Sequence, residues 1–128
     1  FNKPVSIYEM HVGSWRLKPD GGSYTYEEIA KPLIEYILQM NYTHVEFMPL
    51  YTYPFDGSWG YQPTGYYSAD GRYGSPDGLK YLINELHKAG IGVILDMVPV
   101  HFATDPHGLE KFDGETWIPR CWLRVHLH

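Results

Sequence analysis

Residues 94–101 read Ile-Leu-Asp-Met-Val-Pro-Val-His, an apolar run that delivers a carboxylate and then an imidazole. With Val93, the start of this run predicts a strand buried on both faces, as in parallel sheets flanked by helices. A carboxylate at the end of such a strand costs several kcal/mol to bury unless it is paired or faces a pocket. Ligand sites in parallel α/β folds form at that end of the strands. Asp96 and His101 are therefore candidate site residues, and an Asp96 that merely holds a neighbouring loop is the alternative.

Outward from this strand, the chain has the pattern of alternating strands and helices, β-α-β-α-β. The strands are expected over residues 5–11, 44–48 and 92–98. Thr25 with Glu28 forms a capping box before one helix, and Ser75 with Pro76 supplies an N-cap and an N1 proline for the other. Two consecutive β-α-β units fit an open doubly wound sheet or part of a (β/α)8 barrel. The turns after the strands lack a glycine-rich phosphate loop, which argues against a nucleotide site.

Two segments between the predicted strands do not follow simple rules. Pro32 falls inside the first helical pattern, where a proline costs about 3 kcal/mol, so the helix either kinks there or begins near Lys31. Residues 50–74 are rich in Gly, Pro and Tyr without a clear period, which predicts a long loop. Loops of this length inside compact domains are usually functional.

The composition limits the classes of function. The 128 residues carry a formal net charge of −5 without a basic cluster, which argues against a nucleic-acid partner. Cys121 is the single cysteine, so an intrachain disulfide and a cysteine-based zinc framework are excluded. No apolar run approaches the roughly 18 residues that span a bilayer, so no membrane partner is expected. Aromatic residues make up 16% of the chain, and such rings suit sugar faces as well as protein interfaces.

Four segments of the chain resemble the glycogen (1,4-α-glucan) branching enzymes of the α-amylase clan. Residues 8–15 are similar to their first barrel strand, residues 54–66 to the loop after the second strand, residues 96–102 to the first signature region of the clan, and residues 107–114 to a later stretch. The resemblance implies an incomplete (β/α)8 TIM barrel of about three β/α units. It assigns residues 1–116 to this partial catalytic domain and leaves residues 117–128 as a divergent tail.

The resemblance also assigns roles to three residues. Tyr61 matches the tyrosine that stacks on the sugar at the cleavage point, His101 the histidine that bonds that sugar's 6-hydroxyl, and Asp96 an aspartate that holds the charged residues of the site. An α-glucan partner, a cytoplasmic location and the absence of a cofactor follow from the same likeness. The family's nucleophile and acid/base follow later strands, so no catalytic residue is expected in this chain, and by itself it is expected to be inactive.

Several alternatives stay open. A trehalose-releasing hydrolase of the same clan has a similar first strand, and a non-catalytic glucan-binding or structural fragment also fits. Glu9 and Glu46 could form a catalytic pair with Asp96, although carboxylates inside strands more often pair with a buried cation or a backbone donor. Trp59 either lines the sugar groove or packs under the loop, and packing is favoured. Val100 stands where the clan often has a calcium-binding Asn, so no metal is expected.

Overall fold

Three parallel strands with helices between them form the centre of the fold in a computed structural model, which describes residues 3–98. The elements in chain order are β1 (Ile7–Met10), α1 (Val12–Trp15), α2 (Tyr26–Gln39), β2 (His44–Phe47), β3 (Tyr51–Thr52), β4 (Gly65–Ala69), α3 (Pro76–Lys88) and β5 (Gly92–Leu95). β2 lies in the middle of the sheet, with β1 and β5 paired in parallel on its two sides. The order of strands in space follows the chain, as in consecutive β/α units of a barrel. The predicted α/β class with a parallel sheet is confirmed.

One face of this sheet packs against α2 and α3. Buried Val45 and Phe47 alternate along β2 with half-buried His44 and Glu46, because successive side chains of a strand point to opposite faces. The helices contribute the fully buried residues Ile29, Leu33, Ile37, Leu82 and Leu86. Burial of each such side chain is worth about 1.5–3 kcal/mol, so this layer is the hydrophobic core of the described residues.

Both long helices begin at the capping residues that the sequence predicts. Thr25 Oγ1 accepts a hydrogen bond from the Glu28 N–H at 3.3 Å, and Glu28 Oε2 accepts one from the Thr25 N–H at 2.8 Å. Ser75 Oγ accepts from the Gly78 N–H at 3.1 Å, ahead of the proline that opens α3. These side chains satisfy N–H groups that have no partner within the helix.

α2 runs through Pro32 instead of starting after it. The helix begins at Tyr26, so the alternative start near Lys31 is wrong. Proline lacks the N–H that would donate to the Glu28 carbonyl, which weakens one turn of the helix. The apolar face of α2 is buried in the core, and such packing supplies most of the stability of a helix in a protein.

The segment at residues 50–74 is not the structureless loop that its composition predicts. It contains the antiparallel pair β3 and β4 and two short 3-10 turns, Asp56–Ser58 and Gly71–Tyr73. β3 has only two residues, and the pairing shifts register between them. A ribbon this short and irregular leaves no periodic signal in the sequence, which is why it was missed.

β5 is less buried than its apolar sequence predicts. Val93 and Ile94 are half-buried, and Leu95 is 47% exposed. Among residues 3–98, β5 pairs with β2 alone, so its other edge has no neighbouring strand there. The prediction that β5 is buried on both faces assumes packing partners on each side of the strand, and residues 3–98 do not supply all of them.

Residues 3–98 contain neither a candidate membrane-spanning helix nor a candidate metal cluster. No helix in this range is long and apolar enough to cross a membrane. No three side chains of His, Cys, Asp or Glu in the same range are grouped so that they could hold a metal ion.

Candidate functional site

The structure brings together two of the three predicted site residues, Tyr61 and Asp96. The Tyr61 hydroxyl donates to Asp96 Oδ2 at 2.8 Å across 35 positions of sequence. Asp96 directly follows β5, and its N–H donates to the Phe47 carbonyl at 3.0 Å, which continues the ladder with β2. Both side chains therefore lie at the carboxyl end of the parallel strands, where ligand sites form in such folds.

The surroundings of Tyr61 favour the protonated form of its hydroxyl. Burial and the bond to the Asp96 carboxylate raise the pKa of Tyr61 to about 12, and the charges of Glu9 and Glu46 add to this effect. Burial, with a contribution from the charge of Asp96, also raises the pKa of Tyr51. At neutral pH Tyr61 is therefore a neutral phenol with its hydroxyl fixed and its ring half-buried. Such a ring offers an apolar face to a ligand, and its position is set by the carboxylate.

A cavity of about 230 Å³ opens beside Asp96. It is lined by Leu95 at the end of β5 and by Asp96 directly after it, by Tyr51 at the start of β3 and Leu50 directly before it, and by Tyr66 of β4. Its walls are mainly aromatic and aliphatic, with one carboxylate. Apolar walls with few polar groups are the lining that orients small organic ligands, and the volume is below the usual range of about 300–1,000 Å³ for such pockets.

Arg72 holds the loop that carries Tyr61. Its Nη1 donates to both carboxylate oxygens of Asp70 at 3.3 Å, and its Nη2 donates to the Tyr53 carbonyl at 2.8 Å. Nη2 also lies 2.9 Å from Asp56 Oδ1, and the guanidinium carbon lies 4.2 Å from the centre of the Tyr53 ring. Four groups of three residues in the segment, Tyr53, Asp56 and Asp70, thus meet at one cation and hold its turns together.

The sequence reasoning missed Asp70 and Arg72. Asp70 is 1% exposed, and its side chain also accepts from the Arg72 N–H at 3.0 Å. Its backbone carbonyl accepts from the hydroxyl of buried Tyr26 at 3.0 Å. The Asp-Gly-Arg order of residues 70–72 is a turn signal that could have been read, because an Asp side chain often bonds a backbone N–H two residues on.

Trp59 is not packed under the loop as the sequence analysis favoured. Its side chain is 57% exposed, and its ring lies near that of His11, with centres 6.1 Å apart and planes at 26°. The residue has φ 54 and ψ 26, a left-handed backbone that turns the indole outward. The preference for packing is corrected, because the turn at this point leaves the ring at the surface.

The other predicted residues are not part of this contact. Glu9 and Glu46 lie side by side in the register of β1 and β2, and within residues 3–98 neither is in an ion pair with a cation. The buried cation expected for them is not found in that range. His101 and Val100, like the tail at residues 117–128, lie outside the described residues.

The sequence of the chain is similar to a known protein family and to known enzymes. Residues 29–115 match the family model described as alpha amylase, catalytic domain. The chain is 60% identical over 114 residues to the 1,4-alpha-glucan branching enzyme GlgB of Fusobacterium nucleatum, which covers 89% of this chain and 19% of that protein. It is 57% identical over 126 residues to the 1,4-alpha-glucan branching enzyme GlgB 2 of Clostridium perfringens, with 98% of this chain and 19% of that protein covered.

A solved structure has a similar arrangement of strands and helices. The trehalose-6-phosphate hydrolase of Bacillus licheniformis is 27% identical, with a TM-score of 0.66 over 77% of this chain and 17% of that chain. The chain spans about a fifth of the length of the two branching enzymes that it matches.

Proposed function

This chain belongs to the alpha-amylase catalytic-domain family, and from that premise we propose that it is part of a 1,4-alpha-glucan branching enzyme. Its parallel strands are an incomplete (β/α)8 barrel of that family. The proposed enzyme cuts an α-1,4-glucan and rejoins the released chain through an α-1,6 bond. The identity of 60% to a branching enzyme against 27% to the trehalose-6-phosphate hydrolase favours this function over the trehalose-releasing alternative.

The observation that carries the proposal is the bond from the Tyr61 hydroxyl to Asp96. A phenol ring with a fixed hydroxyl can present its face to the C–H side of a glucosyl unit, while carboxylate and hydroxyl edges meet sugar hydroxyls. We assign Tyr61 to stacking on the sugar and Asp96 to positioning Tyr61. The predicted role of His101, a hydrogen bond to the 6-hydroxyl of that sugar, stays part of the proposal.

The same contact argues that Asp96 positions rather than attacks. A retaining glycosidase needs two carboxyl groups about 5–5.5 Å apart, one as nucleophile and one as acid and then base. Asp96 Oδ2 is already occupied by a phenol at 2.8 Å, and the neighbouring Glu9 and Glu46 lie lower on the strands. We therefore propose that the nucleophile and the acid/base belong to other strands of the barrel and that this chain by itself binds glucan without turning it over.

Incubation of the purified chain with amylose tests the proposal. The expected result is retention of the chain on amylose, with no fall in iodine colour and no release of reducing ends. Tyr61→Ala is expected to weaken retention, whereas Tyr81→Ala, which removes a half-exposed tyrosine on the outer side of α3, should leave it unchanged. A steady loss of iodine colour without reducing ends would overturn the proposed inactivity, and failure to bind any α-glucan would overturn the function itself.

The cytoplasmic location stays a prediction from the resemblance. So does the division of the chain at residue 116, because the tail lies outside the described residues. A glucan-binding segment without any enzymatic parent predicts the same retention on amylose. It differs in the surrounding reading frame, which would then lack the later barrel strands of the family.

A further inference from the structure

An exposed indole lies two positions before Tyr61, on the same loop. Trp59 is 57% exposed, and Phe55 at the start of the same turn is 62% exposed. The described chain therefore places a large apolar surface beside the candidate site, with Gly60 alone between Trp59 and Tyr61. Large exposed apolar patches that are rimmed by polar residues mark interaction sites and ligand-binding grooves.

The backbone holds this indole outward by two consecutive left-handed residues. Trp59 has φ 54, which is unusual for a bulky side chain, and Gly60 follows with φ 91. A Cβ at Gly60 would come within 2.6 Å of the Pro49 carbonyl oxygen, so the loop lies directly on the chain that leaves β2. The Trp59 N–H donates to the Asp56 carbonyl at 3.1 Å and closes the 3-10 turn. The outward position of the ring is thus built into the fold.

His11 supports the indole from the end of β1. The two rings are 26° from parallel, and His11 Nδ1 is 3.0 Å from Ser14 Oγ, which fixes the imidazole. Burial lowers the pKa of His11, so at neutral pH the support carries no charge. The Asp56 side chain is 84% exposed although one oxygen contacts Arg72, so its other oxygen is open to a ligand hydroxyl. A supported aromatic face suits the apolar C–H side of a sugar, and the exposed carboxylate of Asp56 on the same turn can accept from sugar hydroxyls.

We propose that Trp59, supported by His11, is a second stacking platform for the bound α-glucan, separate from the Tyr61–Asp96 contact. This inference rests on the proposed function, since it takes the glucan as the ligand. A platform of this kind binds a glucosyl unit of the same chain that is at least two units away from the one on Tyr61, so maltose does not reach it. It therefore increases affinity for long α-glucans and does nothing for a ligand too short to reach it.

The test is a titration of the isotopically labelled 128-residue chain with maltose and with maltoheptaose, followed by NMR. Trp59→Gly is the variant of choice because glycine removes the ring and suits the left-handed backbone, so folding is preserved. We expect Kd for maltoheptaose to rise about fivefold or more in Trp59→Gly, with Kd for maltose unchanged within twofold. The Trp59 indole N–H resonance of the unsubstituted chain should shift with maltoheptaose and not with maltose.

Two control variants separate the possible failures. Tyr61→Ala should weaken the binding of both maltose and maltoheptaose, and Tyr81→Ala should weaken the binding of neither. If Tyr61→Ala weakens binding while Trp59→Gly binds maltoheptaose like the unsubstituted chain, the platform is wrong and the proposed function stands. Equal weakening of maltose and maltoheptaose by Trp59→Gly also overturns the platform, because the ring would then belong to the Tyr61 site. If the unsubstituted chain binds neither sugar, the proposed function fails, and the platform fails with it.

Discussion

The bond between Tyr61 and Asp96 joins the loop after β2 to the end of β5. Tyr61→Phe keeps the ring and removes the donor, so Asp96 loses a hydrogen bond in a half-buried position. We expect the free energy of unfolding to fall by about 1–2 kcal/mol, because hydrogen bonds to charged groups are worth somewhat more than neutral ones. Urea denaturation measures the difference. Tyr67→Phe is the matched control, since Tyr67 is fully exposed, and a similar loss there would show that the bond contributes nothing.

His11 gives the chain a stability that depends on pH. Burial lowers its pKa below the usual 6.5, and the charge of Asp70 opposes part of this effect. The unfolded chain therefore binds a proton more readily than the folded chain, so unfolding is favoured as the pH falls below 6.5 toward the lowered pKa. We expect the unsubstituted chain to lose more stability between pH 7.5 and pH 5.5 than His11→Gln does.

Urea denaturation at the two pH values measures this difference, and His87→Gln is the control because His87 is exposed on α3. A pH dependence that disappears with His87→Gln and persists with His11→Gln would contradict the assignment.

Single residues differ in how far the sequence could place them. Asp96 was predictable because the end of an apolar strand is a special position in any parallel fold, and Tyr61 was placed by its motif. Trp59 was not, because its left-handed backbone depends on Gly60 resting against Pro49, a contact that local sequence does not encode. Asp70 was missed because Tyr26, whose hydroxyl donates to the Asp70 carbonyl, lies 44 positions away in sequence.

At the scale of elements, the start of α2 depends on one side chain. Thr25→Ala removes the acceptor for the Glu28 N–H and leaves that helix donor without its cap. We expect the chain to lose about 1 kcal/mol of stability, the usual value for an N-cap threonine. Thermal or urea unfolding followed by circular dichroism measures it. Lys31→Ala, an exposed site within the same helix, should stay within about 0.5 kcal/mol of the unsubstituted chain, and a loss as large as that of Thr25→Ala would refute the cap.

Elements were predictable where their signals are local. The helix caps and the 3.6-residue apolar period are signals between residues close in sequence, and both long helices begin where the caps put them. The strands are shorter than their apolar runs, which extend past the last ladder partner. β3 and β4 were not predictable, because their pairing joins residues 51 and 69 and a two-residue strand has no period of its own.

At the scale of the whole described molecule, one face of the sheet is packed and the other is open. The helices cover the face of Val45 and Phe47, whereas Glu9 and Glu46 lie on the opposite face. In a complete barrel this second face points to the interior, which is filled by side chains from all strands. Sequence patterns could predict the parallel sheet and its helices. They could not predict which residues cover the second face, because such contacts join positions that are far apart in the sequence.

The open face leads to a last prediction about the two carboxylates. Glu9 and Glu46 are adjacent across β1 and β2, where neighbouring strands are about 4.8 Å apart, and within residues 3–98 no cation pairs with either. Like charges in such cross-strand positions repel, so Glu9→Gln should increase the free energy of unfolding by about 0.2–1 kcal/mol at low salt. The gain should shrink in 1 M NaCl because salt screens exposed charges, and Glu35→Gln on the exposed side of α2 should show no comparable gain. A loss of stability in Glu9→Gln would contradict the expected repulsion. It would mean that the Glu9 carboxylate makes a favourable contact in the folded chain.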